Sequence, residues 1–125
     1  MTTSFVHSGR LCACLGSSGL WCSEDGAASF VQVTAVHTCR MVDWGHPAPG
    51  QSEPALFMFG KVSETESDES LYLHKGEGTE WVRISNASFA LGRALHGPLA
   101  ASKKRFGRVW IGTSGTGVLE GHIEI

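Results

Sequence analysis

The chain is poor in several residue types, and each shortage excludes something. Among 125 residues there is one Tyr, one Asn (Asn86) and four prolines, and the 10 Lys and Arg are outnumbered by 12 Asp and Glu. The basic side chains are scattered apart from Lys103-Lys104-Arg105, so there is no electrostatic stripe to follow a phosphate backbone, which argues against nucleic acid as a partner. Apolar stretches are broken by Gly, Ser or charge well before the roughly 18 residues needed to span a bilayer, so no membrane partner is expected. The first Lys or Arg is Arg10, and the Leu11 to Leu15 run is shorter than the roughly 7 to 15 residues of a secretion-signal core. These features predict a protein made and kept in a cytoplasm.

Glycine, by contrast, is plentiful: 16 residues, about twice the usual share. With four Trp and six Phe, this composition predicts short strands joined by tight turns. Candidate strands are Arg10 to Leu15, Leu20 to Cys22, Ser29 to His37, Ala55 to Val62, Ser70 to Lys75, Glu80 to Ser85, Phe106 to Gly112 and Thr116 to Ile125. Loops are expected at Asp43 to Pro54, at the acidic Ser63 to Glu69 run and at Gly97 to Arg105. Segment 87–95 fits either a short helix, from the spacing of Leu91, Leu95 and Leu99, or a strand. The expected fold is a single all-β domain over residues 1–125, an antiparallel, jelly-roll-like β-sandwich of about eight short strands with at most one short helix.

Two hairpins set the expected registers. With Glu77-Gly78 at its tip, the first pairs Leu73 with Val82, Leu71 with Ile84, Lys75 with Glu80, Tyr72 with Arg83 and His74 with Trp81. With Thr113-Ser114-Gly115 as the turn, the second sets Arg108 opposite Glu120 and Lys104 opposite Glu124, and aligns Val109, Ile111, Leu119, Ile123 and Ile125 on one face. Ala55-Leu56-Phe57-Met58-Phe59 is apolar on both faces and reads as a central, doubly covered strand.

Candidate sites are few. Cys12, Cys14, His37 and Cys39 supply soft ligands that could meet on neighbouring strands, yet their spacing matches no common zinc pattern and Cys22 is left over. Ordinary buried cysteines are the simpler expectation, ahead of a metal site or a disulfide framework. No metal or other cofactor is predicted. Asp43-Trp44-Gly45-His46 groups a carboxylate with an imidazole but lacks a recognisable nucleophile, and turn chemistry explains it more simply. Gly112 to Gly117 joins two strands, which rules out a phosphate cradle, and Thr116 stands where a hydrolase elbow needs glycine. The Ser63 to Ser70 carboxylates lack the central glycine of a calcium loop, and Asn86-Ala87-Ser88 matches a glycosylation acceptor only by pattern. No catalytic residue is identified.

The registers aim Tyr72, Trp81, Phe106 and Trp110 away from the aliphatic face, near Arg83, Arg108 and His122. These rings either form an exposed binding patch or are covered within the domain. The ending from Lys104 to Ile125 resembles the closing hairpin of β-sandwich virion proteins of tailed bacteriophages, through Phe106, Arg108, Val109, Ile111, Gly112, Thr113, Gly115, Thr116 and Gly117. That resemblance implies a non-enzymatic head or tail subunit, self-associating as a homo-oligomer and contacting other virion proteins. The alternative is a carbohydrate- or other ligand-binding β-sandwich module in which Trp81 or Trp110 stacks on a sugar.

Overall fold

Glycine and serine interrupt the apolar alternation often enough that the backbone forms only short extended pieces. In the computed structural model, residues 2–3, 10–63, 70–75, 81–84, 95–113 and 117–122 are described. They form β1 (Thr2–Thr3), β2 (Leu11–Cys14), β3 (Leu20–Ser23), β4 (Val31–Val33), β5 (Thr38–Gly45), β6 (Ala55–Lys61), β7 (Ser70–His74), β8 (Val82–Arg83), β9 (Leu95–Ala101), β10 (Arg108–Thr113) and β11 (Gly117–His122). Three sheets result, ordered β1-β2-β3-β4, β5-β6-β7-β8 and β11-β10-β9, and each is a meander of consecutive strands. Every pairing is antiparallel. The all-β antiparallel sandwich expected from the sequence is what the structure shows, and the described residues include no helix.

The second sheet lies between the other two. On β6, Ala55, Phe57 and Phe59 join Leu71, Leu73, Leu99, Ala101, Val109 and Ile111 in a core against the third sheet. Leu56 and Met58 point the other way, into a core with Cys12, Leu20, Val36, Cys39, Trp44 and Tyr72 against the first sheet. The doubly apolar strand is therefore central, as its composition predicts. Fully burying each large side chain contributes about 1.5–3 kcal/mol. Gly60 follows on the same strand because a Cβ there would collide with the Thr38 carbonyl and lie 2.9 Å from Met58 Sδ.

The β7–β8 hairpin keeps its predicted register, with Tyr72 opposite Arg83 and Leu73 opposite Val82. Glu80, partner of Lys75 in that scheme, lies outside the described residues. The last hairpin is offset: Arg108 faces His122 and Trp110 faces Glu120, and residues 114–116, which include the expected Ser114 and Gly115, lie outside the described residues. An offset of two positions preserves the faces. Val109 and Ile111 stay buried, and Arg108 still reaches Glu120 diagonally at 3.1 Å. Glu124 lies outside the described residues, as do residues 87–94 of the ambiguous segment 87–95, whose last residue, Leu95, begins β9.

Two expected loops are shorter than predicted: residues 46–54 and 102–105 lie outside any strand, but the start of each segment is strand. Asp43-Trp44-Gly45 completes β5, and Leu95 to Ala101 forms β9. Pro98 is tolerated there because β9 is an edge strand, and its pairing with β10 skips a step between Ile111 and Thr113, where no regular donor is required. Asp43 fastens this edge to β5: its Oδ2 accepts from Ala101 N at 2.7 Å and from Lys103 Nζ at 2.9 Å.

The cysteines differ most from expectation. Cys12 sits directly opposite Cys22 in the β2–β3 register and is bonded to it, while Cys14 is bonded to Cys39 on β5, where Gly16 bridges to the same residue. Backbone pairing, invisible in the residue spacing, supplies both partners. Cys14–Cys39 thus ties the first sheet to the second.

The β3–β4 turn is closed by side chains. Ser23 Oγ donates to Asp25 Oδ1 at 2.7 Å and accepts from Ala27 N at 3.0 Å, and Ser29 donates through N to Oδ1 at 2.9 Å and through Oγ to Oδ2 at 2.5 Å. These bonds hold Ala27 at a φ of 75°, a left-handed conformation that ordinarily costs a residue with a Cβ about 1–2 kcal/mol. The donors from Ser29, then Ser23, favour the charged carboxylate and lower the Asp25 pKa to about 2.

Two predictions follow from these links. In the chain-entropy account, a crosslink across 25 residues stabilises by about 3.5 kcal/mol and one across 10 residues by about 2.7 kcal/mol. The Cys14→Ser/Cys39→Ser double variant should therefore lose more stability than Cys12→Ser/Cys22→Ser, read as urea unfolding midpoints without reductant. For Asp25, the folded pKa lies below the unfolded value, so its contribution is complete above about pH 4 and vanishes as pH falls toward about 2. The stability gap between wild type and Asp25→Ala should accordingly narrow between pH 5 and pH 2; a gap independent of pH would contradict the assignment.

Candidate functional site

The first and second sheets do not close fully against each other. A cleft of about 550 Å³ remains at their seam, lined by Arg10, Cys22, Gln32, Val33, Thr34, Ala35, Trp44, Leu56, His74 and Trp81. A neighbouring hollow of about 490 Å³ continues along β4 and shares Arg10, Cys22, Gln32 and Val33. The local sequence explains the opening. Leu56 and Val33 supply apolar walls, whereas Gln32 and Thr34 stay exposed because nothing apolar replaces them on β4 and in the turn after it.

Trp44 lies near the end of β5, where strand alternation sends it toward the first sheet, and it is 2% exposed. The Arg10 guanidinium lies 4.8 Å from its ring centre, a cation–π contact. Glu53 holds Arg10 at 2.6 Å and Glu24 approaches it at 3.9 Å, so the cation is matched by two carboxylates. Trp44 Nε1 is buried and has no hydrogen-bond partner among the described residues; leaving such a donor unsatisfied costs about 1–3 kcal/mol. Across the cleft, the hairpin register sets Trp81 beside His74 with ring centres 5.1 Å apart and planes tilted by 51°.

The four rings singled out by the sequence do not form one patch. Tyr72 is 2% exposed, because the first sheet covers the side of β7 that the hairpin alone leaves open. Trp81 is half-buried on the cleft, and Phe106 packs against the other core. Trp110 lies half-buried on the third sheet; its Nε1 donates to Glu120 Oε2 at 2.8 Å, and Arg108 sits 5.3 Å over its ring. Of the two alternatives for these rings, cover within the domain holds for Tyr72, and the four do not share one exposed face.

The cysteine–histidine set is also not assembled. All four cysteines are in disulfides, and His37 is exposed, with Nδ1 2.9 Å from Thr38 Oγ1. Among the described residues no group of three His, Cys, Asp or Glu could hold a metal ion. His46 points to the Pro47 carbonyl at 3.0 Å, while the neighbouring Asp43 is engaged with β9 and Lys103. Sequence reasoning missed Arg10, Gln32 and Trp44 as cleft residues. Arg10 meets Glu53 across 43 positions, and no local period carries a contact of that range.

No protein-family model matches the chain. Over 104 residues it is 30% identical to a xyloglucanase of a Paenibacillus species, and over 118 residues 28% identical to a probable oligoxyloglucan-reducing end-specific xyloglucanase of Neosartorya fischeri. These alignments cover 83% and 93% of this chain, which spans only 10% and 14% of those proteins. Among solved structures, the GH74 enzyme of Niastella koreensis superposes with a TM-score of 0.83 at 25% identity, over 94% of this chain and 17% of that one. The GH74 xyloglucanase of Xanthomonas campestris gives a TM-score of 0.75 at 21% identity, over 93% of this chain and 15% of that one. The phage-virion resemblance is thereby overturned: it rested on one hairpin with a common turn chemistry, whereas these likenesses run through nearly the whole chain. With it falls the expectation of a non-enzymatic structural subunit, because the relatives are glycoside hydrolases.

Proposed function

We propose that this chain forms successive blades of a larger β-propeller glycoside hydrolase, and that it takes part in binding xyloglucan. The likeness to the Niastella koreensis enzyme along 94% of the chain carries the reading. The architecture supports it independently, since consecutive antiparallel meanders stacked face to face are how propellers are built. Glycoside hydrolysis uses a carboxylic acid that stays protonated and a second, ionised carboxylate. Asp25 is held charged by its serine donors, Glu53 is paired with Arg10, and Asp43 fastens β9. These three carboxylates are engaged in turn and packing contacts, which supports a part in holding the fold and the substrate-binding surface. The two disulfides support an oxidising compartment in place of the expected cytoplasm.

Electrophoresis of the native protein through gels with and without soluble xyloglucan tests this reading. Mobility should fall in the xyloglucan gel and stay unchanged in a dextran gel. Equal mobility in all of them would overturn it.

A further inference from the structure

The seam cleft combines features that packing alone does not require. Its volume of about 550 Å³ lies within the roughly 300–1,000 Å³ of small-molecule sites. One wall is the half-buried Trp81, steadied by His74; the other side offers the Gln32 amide, a donor and acceptor on exposed β4. Trp44, which lines the cleft, carries an indole N–H with no acceptor among the described residues.

Charge narrows the ligand. Arg10 is already matched by Glu53 and Glu24, so an anion would have to compete with two carboxylates for it. A pyranose ring suits the remaining chemistry: its faces present C–H groups to a flat aromatic surface, and its rim presents hydroxyls that both donate and accept.

We propose that the cleft between the first and second sheets is a subsite for one neutral pyranose unit of a glycan, stacked on Trp81 and hydrogen-bonded at its rim by Gln32. This deepens the function proposed above and rests on it. The subsite lies between two adjacent sheets, and the nearby acidic turn of Glu24 and Asp25 borders the neighbouring hollow, where a chain continuing from the bound unit would pass.

Amide shifts of the ¹⁵N-labelled full chain, followed during titration with cellobiose, xylose and glucuronate, test the assignment. The neutral sugars should move the amides of residues 31–35, 74–75 and 81–84 together. Gln32→Ala, an exposed change, and Ala35→Trp, which fills the cleft, should each weaken that binding about tenfold, with the amides of residues 99–111 unmoved as evidence of an intact fold. Shifts centred on Trp110, unaltered affinity in both variants, or no shifts with either neutral sugar would overturn the subsite. Tighter binding of glucuronate than of cellobiose would overturn its neutral character. The xyloglucan gel decides the broader reading separately: retardation that persists in both variants leaves xyloglucan binding standing while removing this cleft from it.

Discussion

Burial of β6 on both faces is the constraint on which the structure depends. Five consecutive apolar residues, Ala55 to Phe59, are each at most 5% exposed, and a strand places alternate side chains on opposite faces. Neither face can be left to water at about 1.5–3 kcal/mol for each large side chain. Two further sheets must therefore pack on the sheet that contains β6, and the chain supplies one before it and one after it. The seam cleft exists because the earlier of these covers leaves an opening beside Trp44 and Trp81.

Polar ties then fix how the covers sit. Asp43 and Lys103 hold β9 against β5, with Lys103 also reaching the Trp44 carbonyl. Arg10 connects the first sheet to Glu53 in the β5–β6 connection, and Cys14–Cys39 does so covalently. Exposed ion pairs such as Arg108–Glu120 contribute little, about 0.2–1 kcal/mol. Asp43, by contrast, is largely shielded and satisfies a backbone donor as well as a cation, so its loss would leave the Ala101 N–H without its acceptor.

The parts legible in the sequence were those decided by neighbours along the chain. The β7–β8 register, the doubly buried β6 and the inward Val109 and Ile111 all follow from period-two alternation and turn residues. The parts that were not legible depend on partners far away. Tyr72 looks outward from its hairpin and is sealed only by the first sheet. Cys39 finds Cys14 because Gly16 bridges to it, and Asp43-Trp44 reads as a Pro-rich loop until β6 pairs with it. A hairpin resemblance likewise carried no functional information, because Gly/Thr turn chemistry recurs in unrelated proteins.

The stacking order has one further consequence. Contacts between sheets run from first to second and from second to third, so each layer meets chiefly the layers adjacent to it in sequence. Stability in such an arrangement approaches a sum of layer terms and nearest-neighbour seam terms. One seam can then accumulate substitutions while the other keeps its packing. A cleft opened at one seam can diversify over evolution at little cost to the rest of the fold.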